Sequence, residues 1–117
     1  MGDAVANLIP LLTGLEANAS FGGEGVRFKF DNKKSRKLKA DPRRLIDFIE
    51  IQEIWSHPHY IDYRSDDPVQ FRAIGWVKGM LYSVIYEVRD DRDGEYYHLV
   101  TLWKSTKQEE RLYDEYR

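Results

Sequence analysis

The chain has no cysteine. That absence excludes a disulfide framework, a thiolate zinc site and a cysteine nucleophile together. Histidine is scarce as well: the three present are His57, His59 and His98, so any imidazole chemistry has to use one of them. No apolar run approaches the roughly 18–20 residues of a membrane span. The N-terminus lacks a basic region ahead of an apolar stretch, since Asp3 is its only early charge, so no secretory signal is expected. These absences point to the cytoplasm. There is no HExxH, no Walker loop, no GxGxxG and no serine in a nucleophile-elbow setting. His57 and His59 flank Pro58 and, with Asp62 or Asp66, could reach one ion, but an HPH run at a helix end reads as a loop. No metal and no cofactor are expected.

What is present fills one domain. The 117 residues suffice to bury a core. Residues 1–25 read as an N-terminal arm, disordered or used for docking, and residues 26–117 as the domain. Net charge is only −2, but it is unevenly spread. From Arg27 to Arg44 nine basic residues face two acidic ones, a local +7, while the remainder carries nine basic and eighteen acidic residues, or −9. One surface for a polyanion or an acidic partner follows from that asymmetry, although a solvated amphipathic helix has the same composition.

The strongest structural signal is Met80–Trp103. Apolar, β-branched and aromatic residues alternate at period two on both sides of the charged turn RDDRDG, which closes on Gly94. This predicts a central β-hairpin. Val26–Phe30 reads as an edge strand. Asp31 is an expected N-cap for a short basic helix, Asn32–Ala40. Asp41-Pro42 predicts a second helix running to about Trp55, with Leu45, Phe48, Ile51 and Trp55 on its core face. His59–Tyr63 and Gln70–Val77 read as strands with RSDDP a loop between them, and Gly75 as a bulge or a close approach. Thr106 and Glu109 form a T-x-x-E capping box for a last helix. The expected fold is α+β, a small antiparallel sheet with helices against it, in the order β-α-α-β-β-β-β-α.

A basic, aromatic-rich surface suits one metal-free reaction, RNA cleavage by the neighbouring 2′-hydroxyl. It needs a base, cations for the phosphorane and an acid for the leaving oxygen. The candidate catalytic residues are Arg43, Arg44, Arg72, His98 and Lys104. Lys33, Lys34, Lys37 and Lys39 are candidates for RNA phosphates, and Trp103 for stacking a base. Each has a structural alternative. Arg43 and Arg44 fit first-turn surface positions, Arg72 could pair across strands with Glu87, and Trp103 could be core. By strict alternation His98 shares a face with Tyr96, Val100 and Leu102, which suits a hydrogen-bonded structural histidine.

Five segments resemble the BrnT-type toxins of bacterial type II toxin–antitoxin systems: FKFDNKK, FIEIQEIWSHP, FRAIG, LYSVIYEVR and KSTKQEERLYDEY, between Phe28 and Tyr116. The resemblance covers about residues 26–117. It implies a RelE-like fold, ribonuclease activity that blocks translation, RNA as substrate and neutralisation by a cognate, BrnA-like antitoxin. The sequence departs from that pattern at its functional positions. Arg43-Arg44-Leu45 stands where the family commonly has Lys-His-Gly, Val69-Gln70-Phe71 where it has Glu-Arg-Phe, and His98 and Trp103 where it has two arginines, while Lys104 is kept. The first reading is therefore a ribonuclease toxin. The alternative is a catalytically degenerate RNA- or protein-binding module of the same fold, including one whose basic segment meets only an acidic protein.

Overall fold

The structure, a computed structural model, describes residues 26–116; the expected N-terminal arm lies outside them. In chain order the elements are β1 (Phe28–Lys29), α1 (Asn32–Ala40), a 3₁₀ helix (Glu50–Ser56), β2 (Tyr60–Asp66), β3 (Val69–Val77), β4 (Met80–Asp91), β5 (Gly94–Lys104) and α2 (Lys107–Tyr116). They build one five-stranded sheet in the order β1-β5-β4-β3-β2. The alternating stretch is its centre, and Gly94, at φ 109°, closes the β4–β5 turn. β2 to β5 are antiparallel neighbours, but β1 joins β5 in parallel, Phe28 opposite Tyr97. The fold is α+β, but the sheet is mixed rather than antiparallel throughout. The order also differs from expectation, because a 3₁₀ helix replaces the second α-helix.

α1 forms where its cap predicts. The Asp31 carboxylate accepts from the backbone N–H groups of Lys33 (2.8 Å) and Lys34 (3.0 Å), and these contacts hold the carboxyl below the usual range. The Asp41-Pro42 signal is also chemically real, since Asp41 Oδ1 accepts from Arg43 N at 2.9 Å. It nucleates only one turn. Tyr82 Oη donates to the Arg44 carbonyl (2.6 Å), and Arg44 Nε donates to the Leu102 carbonyl (2.7 Å). These bonds tie the chain to β4 and β5. Leu45 then sits at φ 63° with half its surface exposed, so it is not the core residue expected. The helical path restarts when Asp47 Oδ1 accepts from Ile49 N (3.0 Å) and Glu50 N (2.8 Å). A leucine in the left-handed region is strained by about 1 kcal/mol or more. Leu45→Asn should relieve part of that and raise stability by up to about 1 kcal/mol; an unchanged or lower midpoint in chemical denaturation would contradict this.

Glu50 fixes the start of the 3₁₀ helix. It accepts from Lys39 (2.9 Å) and Lys78 (2.7 Å). Burial pushes its carboxyl up, but the two ammonium groups and the Asp47 N–H outweigh burial and bring it down to about 2. This contribution to stability is present above the ordinary glutamate range and is lost as pH falls toward that value.

On the first face of the sheet, the helices and the turn that joins them bury Leu38, Phe48, Ile51, Ile54 and Trp55 against Val84, Tyr86, Tyr97, Leu99 and Leu102. Trp55 meets Tyr86 edge-on at 5.2 Å and Tyr97 at 5.5 Å between ring centroids, an arrangement favoured by ring quadrupoles. Gly75 is no bulge, since the ladder runs through it, opposite Tyr82. It is a close approach: an added Cβ would lie 3.1 Å from Ile54 Cγ2 and 3.4 Å from His59 Cβ. Gly75→Val should therefore cost about 1–3 kcal/mol by overpacking, read as a lower denaturation midpoint at constant slope. The expected loop at Arg64–Pro68 is mostly strand. Tyr63 and Ser65 pair with Phe71 and Gln70, leaving Arg64 as a bulge, and only Asp67-Pro68, a cis peptide, forms the turn.

Among the described residues the second face is covered at one end only. There α2 lays Tyr113 on Ile74 and Leu81, beside Tyr60. The capping box forms as expected: Thr106 N donates to Glu109 Oε1 (2.9 Å) and Glu109 N to Thr106 Oγ1 (3.1 Å). No helix among the described residues is long and apolar enough to cross a membrane.

Candidate active site on the open sheet face

A bulge decides what this face presents. Ile85 pairs with Thr101 and Tyr86 with Leu99, so Val100 is the extra residue on β5. Beyond it the alternation inverts. Leu102 joins Tyr97 and Leu99 in the core, and Trp103 and Thr101 share the opposite face with His98. The expectation that His98 shares a face with Leu102 is thus corrected, and His98 lies away from the main core.

His98 stands directly across from Glu87. Glu87 is committed elsewhere: Oε2 accepts from Gln70 Nε2 (2.7 Å), and Oε1 accepts from Arg89 Nη2 (2.6 Å) and Nε (3.0 Å). Burial pushes the Glu87 carboxyl up, but Gln70 and Arg89 outweigh it and the net direction is down. Among the described residues no hydrogen bond fixes the His98 ring. Burial is the first influence on its titration and moves it down. The charges of Arg89 and Lys34 add to this, against an opposing Glu87. His98 is therefore a half-buried imidazole held below the ordinary histidine range, with two cations nearby.

Further along the face lies a second constellation. Arg72 Nε donates to Asp62 Oδ1 (3.0 Å) and Arg72 Nη1 to Glu109 Oε2 (3.2 Å). The hydrogen bond to Asp62 leads the influences that raise the guanidinium further. The Arg72–Glu87 pair weighed as a structural alternative does not form, because Arg72 is in register with Ile85. Glu109 is buried, and it also accepts the Trp103 indole N–H at 3.0 Å. Burial pushes the Glu109 carboxyl up, yet the Thr106 N–H, Trp103, Ser83 and Arg72 together hold it below the usual range. Trp103 is half-buried, not core, and the Arg64 guanidinium lies 5.4 Å above its ring centroid.

The remaining candidates stand elsewhere. Arg44 faces the first side of the sheet, bound to Leu102 O and, at 2.6 Å, to Asp41. Arg43 projects outward and pairs with Asp41 at 3.2 Å. Lys104 is opposite Tyr82 in the ladder, on the Arg44 side. Lys33, Lys34 and Lys37 are exposed on α1, and Lys39 is paired to Glu50. The structure thus gathers Arg72, His98 and Trp103 on one face, with Lys34 near His98, and leaves Arg43, Arg44 and Lys104 off it.

Sequence reasoning missed Gln70, Arg89 and Arg64 on this face. Arg89 was findable, being two residues from Glu87 on an uninterrupted strand; Arg64 was not, because a bulge aims it. Among the described residues no three His, Cys, Asp or Glu side chains are grouped so as to hold a metal ion. No family model matches the chain, and no curated protein matches it.

Proposed function

We propose that this chain is a metal-free ribonuclease toxin of the BrnT type with a RelE-like arrangement, and that its reaction centre is the open sheet face around His98. One observation carries the reading: His98 stands half-buried on the part of the second face that no described helix covers, with burial and the charges of Arg89 and Lys34 lowering its titration. A neutral imidazole can take the proton of a 2′-hydroxyl, and the cations that keep it neutral are the charges a phosphorane needs. The exposed lysines of α1 extend that positive edge toward the backbone of an RNA strand. Arg43, Arg44 and Lys104, on the other side, fall outside the reaction centre in this reading. Such a toxin would act on RNA in the cytoplasm and be silenced by a cognate, BrnA-like antitoxin.

A second reading has its own observation. Arg72 is neutralised by Asp62 and Glu109, and Arg89 by Glu87. A face whose arginines are spent on carboxylates suits a degenerate module that binds RNA or protein without cleaving. Induced expression of the full chain beside His98→Ala separates the two. Growth arrest and RNA breakage by the wild type alone support the toxin. Equal growth with both proteins folded, and salt-dependent RNA binding by both, overturns it in favour of the binding module.

A further inference from the structure

We infer that Arg64 and Trp103 form a receptor for one nucleotide of a single-stranded chain, the indole taking the base and the guanidinium the adjoining phosphate. The inference rests on the RNA reading and extends it to a place outside the His98 centre. Its starting point is a reach across the sheet. Arg64 belongs to β2, the edge strand, and Trp103 to β5, with β3 and β4 between them. Yet the guanidinium lies 5.4 Å above the indole centroid. The bulge between Tyr63 and Ser65 makes Arg64 the unpaired residue, and bulges commonly re-aim a side chain over a functional surface.

The two partners differ in how firmly they are held. The Trp103 N–H is bound to Glu109, itself fixed by Thr106 and Arg72, so the ring is set in orientation. Arg64 is exposed and has no ion pair with any described residue, in contrast to Arg72 and Arg89 on the same face. An exposed guanidinium resting on a half-buried ring makes a weak, readily exchanged contact. A strand offers both groups more: a base can stack on the fixed indole, and a phosphate can take a bidentate, charge-assisted bond from the guanidinium. Arg64 would leave the ring for the phosphate as the base takes its place. Every base has a π-face, so this receptor orders a strand across the sheet without selecting its sequence.

The test uses the full chain labelled with 5-fluorotryptophan, which carries three tryptophans; Trp103→Phe assigns the Trp103 fluorine line. The probe is a short oligoadenylate, with adenosine monophosphate as its control. The oligomer should move the Trp103 line and leave that of buried Trp55 in place. Trp103→Leu should weaken binding by about tenfold. Arg64→Ala, an exposed change that does not threaten folding, should lower the slope of log affinity against log salt by about one. Binding with an unmoved Trp103 line, or with the same slope in Arg64→Ala, overturns the receptor, while His98-dependent cleavage would still stand. Equal shifts with the monophosphate overturn the strand assignment. An oligomer that fails to bind any form overturns the receptor and the RNA reading together.

Discussion

Glu109→Ala should destabilise the domain by about 2–4 kcal/mol, the cost of leaving two part-buried hydrogen-bond donors unsatisfied. The carboxylate is buried beside Ser83 and accepts from the Thr106 N–H at 2.9 Å, the Trp103 N–H at 3.0 Å and the Arg72 guanidinium at 3.2 Å. Alanine would strand the Thr106 and Trp103 N–H groups and leave Arg72 with Asp62 alone. The capping box would lose its second half, and the end of the second face would lose the helix that closes it. Glu109→Gln separates charge from shape, because an amide oxygen can still accept from Thr106 while the attraction to Arg72 is lost; it should cost clearly less than alanine. Denaturant unfolding reads both as shifts in midpoint at constant slope. The pH dependence has a defined sign. The folded carboxyl is held below its usual range, so its contribution is full above that range and disappears as pH falls through the lowered value. Glu109→Gln should lack that part of the acid limb. A cost below about 1 kcal/mol for alanine would place Glu109 among ordinary surface residues and remove the account of how Trp103 is held.

Glu109 was readable in advance because a capping box is local chemistry, three residues apart. The same holds for Asp31 and α1, and for the period-two pattern of Met80–Trp103, whose two sides pair with each other. What could not be read depended on distant groups. Asp41-Pro42 is a sound helix start, yet the hydroxyl of Tyr82 and the carbonyl of Leu102 capture Arg44 and turn the chain into a strained Leu45 before a 3₁₀ helix. The β1–β5 pairing is parallel and joins segments about 70 residues apart, a link that local periodicity does not carry. The candidate site was misread for a smaller reason. A single extra residue, Val100, reverses the sidedness of β5, so strict alternation placed His98 with Leu102 instead of with Trp103. Arg72 and Trp103 stand out in the sequence as residues of interest, but their partners come from two other elements, Asp62 and Arg64 from β2 and Glu109 from α2.

His98 shares the open end of the second face, opposite Glu87, and in the proposed reaction its removal should have the largest kinetic effect. If the open face cleaves RNA, His98→Ala should slow cleavage by about 10²–10⁴-fold, the range for a lost general base. Added imidazole should restore part of the rate, since the substitution leaves a space on a half-buried face rather than in the core. The pH profile tests the cause. Burial first, then the charges of Arg89 and Lys34, lower the imidazole's titration. The base is therefore neutral at neutral pH, and the rate should fall only once pH drops below the ordinary histidine range. Arg89→Gln removes one depressing charge and should move that acid limb to higher pH, though only partway, because burial remains. Glu87→Gln removes the opposing carboxylate and should move it to lower pH. Opposite displacements by two neighbours that do not bond to the ring would identify the titrating group as His98. A profile that neither substitution moves, with the rate still lost in His98→Ala, would mean that His98 shapes the face and another group carries the proton.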